Sequence, residues 1–269
     1  MKVHTFNVVV LYCMLLICTC YGFNPKLSFY NSSIVDANAE QWQPASATWY
    51  GPPDGAGTDG GACGYGSSVG NPPLSKLVSA GGPNIFNNGE GCGACYEVKC
   101  TENEACSGET VTVMISDQCP GCPATHFDLS GFAFGSLAKP GQQDNLRNAG
   151  RINLQYQRVS CSFGQPIVFT IDNGANQYYF ATEIEYENGE GNLVDVELKQ
   201  ANQDSWIPMK RLWGARWVLN LGSLMQPPFS LMLTETSVNG SSKTIEANNV
   251  IPAGWQPGQV IRSAINFNN

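Results

Sequence analysis

The chain has 269 residues, a formal charge of −8 and only two histidines. Its hydrophobic content of 42% with 10% aromatics excludes a disordered chain, and 13% charged residues excludes a polyelectrolyte or a long coiled coil. Twenty-two acidic against 14 basic residues argue against a phosphate-backbone binder, so no nucleic acid partner is expected.

Lys2 and His4 precede an apolar run from Val8 to Cys20, too short to span a bilayer and closed by small or polar residues. It reads as a secretory signal peptide over residues 1–22, followed by an N-terminal extension over 23–47. No later stretch approaches a membrane span, so no transmembrane segment is expected. Cys13, Cys18 and Cys20 fall in the leader, and eight of the 11 cysteines remain, an even set for an oxidising compartment. Asn31-Ser32-Ser33 and Asn239-Gly240-Ser241 fit the N-glycosylation sequon. Asn31 is the stronger candidate, since it lies in a polar segment ahead of the structured motifs.

The remaining chain divides by its grammar. All eight cysteines lie between Cys63 and Cys161, among dense Gly and Pro, with short strand-like runs at Val111–Ile115 and Ile152–Tyr156. A short helix is predicted within Gly131–Ala138. Breakers at Phe163-Gly164-Gln165-Pro166 place a linker near Ser162–Ile167. Beyond it, Tyr178, Phe180, Thr182, Ile184 and Tyr186 alternate with Glu183, Glu185 and Glu187, and Val194, Val196 and Leu198 alternate with charged residues. Asn188–Asn192 reads as a hairpin turn between them, and Phe229, Leu231 and Leu233 give another strand. This spacing of short strands predicts a β-sandwich.

Three literal motif matches fail on context. Gly55-Ala56-Gly57-Thr58-Asp59-Gly60 fits a dinucleotide fingerprint but follows Pro52-Pro53-Asp54 rather than a strand and opens no helix. Gly66-Ser67-Ser68-Val69-Gly70 fits a nucleophile elbow, yet Asn71-Pro72-Pro73 stands where the helix belongs. Cys92-Gly93-Ala94-Cys95 and Cys119-Pro120-Gly121-Cys122 are spaced like a zinc ribbon, but an oxidising compartment and four further cysteines favour disulfides. Eight cysteines allow about 105 pairings, and the sequence alone selects none. No metal and no cofactor are expected.

What survives is a set of loop and strand-end carboxylates beside aromatics. His126-Phe127-Asp128 follows a Pro-rich turn, Asp117 ends the strand Val111–Ser116, and Asp59 sits in the Gly-rich loop, with Trp49 and Tyr50 upstream. Sugar rings stack on aromatic faces while carboxylates accept hydroxyl hydrogen bonds or transfer protons, so the set suggests a carbohydrate site. Loop Asp residues that merely cap turns are the plainer alternative.

Ala47-Thr48-Trp49-Tyr50-Gly51-Pro52, Gly60-Gly61-Ala62-Cys63-Gly64-Tyr65 and His126-Phe127-Asp128-Leu129-Ser130-Gly131 with Ala133-Phe134-Gly135 resemble the signatures of the plant expansins. Trp213-Gly214-Ala215-Arg216-Trp217 and Val250-Ile251-Pro252-Ala253-Gly254-Trp255 are similar to those of their C-terminal module. The HFDLSG-then-AFG form resembles the β-expansin branch, which includes grass pollen group 1 allergens.

The resemblance implies an all-β chain: an endoglucanase-like double-psi β-barrel over 48–165, then an immunoglobulin-like carbohydrate-binding sandwich over 166–269. It implies the disulfides Cys63–Cys92, Cys95–Cys161 and Cys100–Cys106, with Cys119 and Cys122 left to pair with each other. Asp128 matches the general acid of the endoglucanase relatives. The base carboxylate those inverting enzymes require would fall near Thr48–Tyr50, where no Asp or Glu stands. His126, Asp117, Asp59, Tyr50 and Thr48 complete the catalytic-like set, and Trp49, Tyr50, Tyr179 and Trp217 are the expected polysaccharide platform. Tyr179 shares a strand face with Glu183 and Glu185 and is expected to be exposed, as is Trp217. The function implied is non-hydrolytic loosening of the plant cell wall by a secreted monomer that binds cellulose, xylan or other matrix glycans. The alternatives are an endoglucanase whose base is Asp59 or Asp117, and a binding protein without mechanical effect. The acidic charge sets the chain against acidic wall polymers at long range.

Overall fold

A computed structural model describes residues 42–237 and 239–267. The leader, its three cysteines and Asn31 lie outside the described residues. Fifteen strands dominate the rest, with short helices α1 (Pro83–Phe86), α2 (Gly131–Ser136) and α3 (Gln143–Asn148).

Six strands close into a barrel: β1 (Gln43–Tyr50), β2 (Val78–Gly81), β3 (Cys95–Lys99), β4 (Val111–Gln118), β5 (His126–Ser130) and β6 (Ile152–Val159). Their order around the barrel is β1-β5-β2-β4-β3-β6, with β1 parallel to β5 and β2 parallel to β4. β1 begins at Gln43, so residues 43–47, read above as extension, belong to the barrel. Their small side chains carry little hydrophobic signal, yet Ala47 is fully buried. Phe127 fills the interior against Tyr96 and Tyr156, with ring centroids at 5.4 and 5.2 Å. Burying such a ring contributes about 2–3 kcal/mol.

After Val159 the next strand starts at Val168. β7 (Val168–Ile171), β8 (Tyr179–Glu185), β11 (Lys210–Trp213), β12 (Arg216–Asn220) and β15 (Val260–Arg262) form one sheet in the order β11-β12-β8-β7-β15. β9 (Leu193–Lys199), β10 (Ile207–Pro208), β13 (Phe229–Thr236) and β14 (Ser242–Ile251) form the other, ordered β10-β9-β13-β14. Phe169, Phe180, Phe229 and Leu231 are fully buried between the sheets. The alternation in β9 changes phase: Leu193 is buried and Val194 is 48% exposed, because the pairing with β13 slips between Thr234 and Glu235.

Two loops of the sandwich dock on the barrel: the β8–β9 connection, which crosses from one sheet to the other and is not the hairpin turn that its glycines suggested, and the β11–β12 hairpin. The loop carrying Asn188–Asn192 exchanges two backbone hydrogen bonds with Cys161 through Gly189 (2.7 and 3.1 Å), while Asn192 Nδ2 donates to the Glu90 carbonyl at 2.9 Å. Arg158 of β6 reaches the Glu190 carbonyl and Asn192. The β11–β12 turn donates from Ala215 N to the Cys63 carbonyl at 2.9 Å. Both seats are stiffened by disulfides, Cys95–Cys161 under the first loop and Cys63–Cys92 under the second. The other bridges are Cys100–Cys106 and Cys119–Cys122.

This docking reverses one sequence expectation. Glu183 and Glu185 are each only 5% exposed, because the outer face of β8 is the face that the barrel covers. Alternation shows which residues share a face, not what will be laid over it. Tyr179, at the far end of the same strand, stays half-buried.

Candidate functional site

The pairing of the barrel strands brings Thr48, Asp128, Ala80 and Asp117 into one transverse row. Thr48 pairs with Asp128, Asp128 with Ala80, and Ala80 with Asp117. The two carboxylate-bearing residues therefore stand two strand spacings apart, roughly 10 Å at the backbone.

A directed hydrogen-bond chain leads to Asp128. Thr48 Oγ1 donates to Asp128 Oδ1 at 2.5 Å, and the same hydroxyl lies 2.9 Å from His126 Nε2. Because the single Thr48 proton goes to the carboxylate, His126 Nε2–H must be the donor to Thr48. Nδ1 then accepts from Ser46 Oγ at 2.7 Å. His126 is fully buried; burial, aided by Arg151, lowers its pKa against the opposing pull of Asp128, which favours the neutral ring. Through this bond His126 positions the Thr48 hydroxyl.

The HFDLSG run owes its form to this corner. Ser130 Oγ accepts from Ala133 N at 3.0 Å and caps α2, while Ser79 Oγ holds the Asp128 carbonyl at 3.1 Å. A Cβ on Gly131 would stand 2.1 Å from the Pro52 carbonyl oxygen, so only glycine lets the Pro52-Pro53 loop close over the helix start.

Tyr50 lies in the same region. Burial raises its phenol far above the usual range, Asp117 adds to the rise, Ser116 counters it and Asp128 adds again. Asp117 is engaged structurally: its Oδ1 accepts from Ala62 N and Gln118 N, both at 2.7 Å. Asp59 is exposed in a turn. Trp49 leaves β1 on the side opposite Thr48 and Tyr50, packs on the barrel core and donates its indole N–H to the Arg147 carbonyl at 3.1 Å. Among the described residues no group of three or more His, Cys, Asp or Glu side chains is arranged to hold a metal ion.

The tryptophan expected at the surface of the sandwich is the wrong one. Trp217 is 4% exposed and belongs to the sandwich core, whereas Trp213 is 44% exposed. Gly214 and Ala215 turn the chain between them, so the two rings lie on different strands and the four-residue spacing carries no parity. Trp213 pairs with Arg216, whose guanidinium stacks on its ring at 4.6 Å. Arg216 is itself held by Asp172 at 2.6 Å and Glu183 at 3.1 Å. One ring face is thereby backed by a fixed cation. Arg216 was not read from the sequence; its signal was the Trp-Gly-Ala-Arg-Trp turn.

Comparison with known proteins places this architecture. Residues 167–252 match the family model described as Expansin C-terminal domain, and residues 78–156 match one described as Lytic transglycolase. The chain is 48% identical to Putative expansin-B2 of Arabidopsis thaliana over 259 residues, covering 95% of this chain and 93% of that protein. The chain belongs to the expansin family, B branch. It is also 53% identical to Expansin-B4 of Arabidopsis thaliana (83% of this chain, 86% of the other) and 50% identical to Expansin-B11 of Oryza sativa subsp. japonica (84% and 78%). The crystal structure of an apo Clavibacter michiganensis expansin superposes with a TM-score of 0.63, at 22% identity, over 85% of this chain and 99% of that one. A point mutant of that bacterial protein, solved in complex with cellohexaose, gives the same values and shares the fold with this expansin.

Proposed function

We propose that this expansin is a wall-loosening protein that binds cellulose and matrix polysaccharides and weakens their non-covalent contacts without hydrolysis. The Thr48–Asp128 pairing carries the reading. The side chain facing the candidate acid is a hydroxyl that donates to it, whereas an inverting hydrolase places a water-activating carboxylate well away from its acid, with room for water between. Asp117, the nearest carboxylate in register, holds the Ala62 loop through one amide hydrogen bond and accepts a second from the neighbouring Gln118 amide. Binding is assigned to aromatics, with the exposed Trp213 in the role first given to Trp217, together with the half-buried Tyr179, while Tyr50 on the Asp128 side and Trp49 on the opposite face of β1 are only partly exposed. The cellohexaose complex of the bacterial expansin supports a straight glucan as ligand.

Secretion by the leader over 1–22, a plant-wall location and action as a monomer belong to the same proposal. So do glycosylation at Asn31 and Asn239 and division into domains after residue 165. Asn239 sits in the exposed β13–β14 turn, which supports access to it. The deciding experiment is extension of heat-killed wall strips under constant load at acidic pH, with soluble sugar assayed in the same bath. Prompt creep without sugar release is expected. Released oligosaccharide would reassign the barrel as a hydrolase, with Asp117 as the first base to test.

A further inference from the structure

The junction of barrel and sandwich encloses a half-open cavity of about 340 Å³, at the lower end of small-molecule sites. Its walls come from both modules: Tyr65 and Ser68 from the barrel, and Thr170, Glu183, Glu185 and Arg262 from the outer face of the β7, β8 and β15 strands. Two of these wall residues carry buried polar atoms without a close hydrogen-bond partner, the Tyr65 hydroxyl and Glu185 Oε1, whose carboxyl faces the hydroxyls of Ser68 and Tyr186. Tyr65 is 4% and Glu185 5% exposed, so bulk water does not serve them. Orphaned groups of this kind cost about 1–3 kcal/mol each unless something occupies the space beside them.

The chemistry of the walls selects the occupant. Arg216 and Arg262 disfavour a cation, and Arg216 is already held by Asp172 and Glu183, which weakens its pull on an anion. Hydroxyls of Ser67, Ser68, Thr170 and Tyr65, carboxylate acceptors and guanidinium donors together suit a neutral group whose hydroxyls donate and accept at once. The mouth is edged by the exposed residues Ser67, Val260 and Arg262. Trp213 is not among the walls. It borders them: its ring stacks on the wall residue Arg216 at 4.6 Å, and a Cβ on Gly64, another wall residue, would stand 3.2 Å from the ring.

We propose that this cavity is a second carbohydrate site beside Trp213, which takes one neutral sugar residue, the end or branch of a polysaccharide chain. The two sites share Arg216 and hold sugar differently, one on an aromatic face and one by hydroxyl recognition. The inference shares its ligand class with the function proposed above, and its test is read at different residues.

Isotope-labelled mature protein is titrated separately with methyl β-D-glucoside, methyl β-D-xyloside, methyl α-L-arabinofuranoside and cellohexaose, following backbone amides. Saturable shifts at Ser67, Ser68 and Thr170 are expected with at least one monosaccharide. Ser68→Ala and Glu185→Gln should weaken that sugar about tenfold while leaving cellohexaose affinity unchanged. Trp213→Ala should do the reverse. Ser68 is half-exposed, so its variant reports even where Glu185→Gln fails to fold. Monosaccharides that shift only residues around Trp213, or shifts untouched by Ser68→Ala, overturn the site and leave ordered water as the occupant. Absence of any cellohexaose effect at Trp213 counts against the platform alone.

Discussion

Gly191 lies directly on the sulfur of Cys161: a Cβ built there would stand 2.3 Å from Sγ and 2.4 Å from the Gly93 carbonyl oxygen, at a backbone φ of +72°. The contact makes a turn of the sandwich part of the wall of the barrel, with a disulfide as its floor. Gly191→Ala is therefore expected to lower stability by about 2–4 kcal/mol, since neither a disulfide nor a backbone carbonyl can move aside cheaply. Gly141 has a similar φ of +78° with open space around it, and Gly141→Ala should cost only about 1 kcal/mol. Chemical denaturation of both variants checks the contrast. Equal losses would mean that the docking is not tight in solution.

Trp213→Ala and Trp217→Ala should fail in different ways. The first removes an exposed ring backed by Arg216, so binding to insoluble cellulose should fall several-fold with the melting temperature nearly unchanged. The second leaves a cavity in the sandwich core and should cost about 3–5 kcal/mol. Pull-down and thermal melts on the same preparations separate the two.

Stability should fall as pH rises. Burial pushes Glu183 up to about 8, with Glu185 adding to the rise and Arg216 only partly offsetting it. Glu187 is raised to about 8, again by burial first, and Glu185 and Glu235 are raised for the same leading reason. In the unfolded chain these carboxyls release their protons near the ordinary value, so between about 4.5 and 8 the native state binds more protons than the unfolded state. Their contribution is complete below that window and is lost through it. His126, lowered by burial, opposes them: its share is lost as pH drops below its ordinary 6.5. The melting temperature at pH 5 is expected to exceed that at pH 8 by on the order of 5–10 °C. Glu183→Gln should flatten the slope, and a melting temperature that rises toward pH 8 would refute the assignment.

Asp128→Asn should flatten the acid dependence of wall extension, because it removes the carboxyl group at the end of the Ser46–His126–Thr48 chain. Thr48→Val keeps the shape and removes the donor, and it should change the pH profile more than the amount of protein bound. Creep measured across a pH series tests both. Profiles that superpose on the parent would remove Asp128 from the mechanism.

Reduction should be ordered. Cys119 and Cys122 are partly exposed in the loop between Asp117 and His126, whereas the other six cysteines of the described residues are buried. Mild dithiol followed by alkylation and peptide mass mapping is expected to label Cys119 and Cys122 well before any other. Simultaneous labelling of Cys63 or Cys161 would show that the fold opens first.

Local signals in the chain carried much of this protein. Glycine and proline punctuation marked the irregular barrel half, alternation marked β8, β9 and β13, and the His126–Gly131 run identified the corner that holds the carboxylate. Each is written in neighbouring residues, because strand periodicity and turn chemistry are local properties. Tertiary structure decided the rest. That Glu183 and Glu185 are buried depends on a barrel laid over their strand face. That Trp213 rather than Trp217 meets solvent depends on a two-residue turn and on which side of the sheet closes the core. That His126 serves Thr48 depends on β1 and β5 lying parallel in one register. These are choices of partner between segments distant in the chain, and partner choice is settled by what packs against a surface, not by the pattern along it.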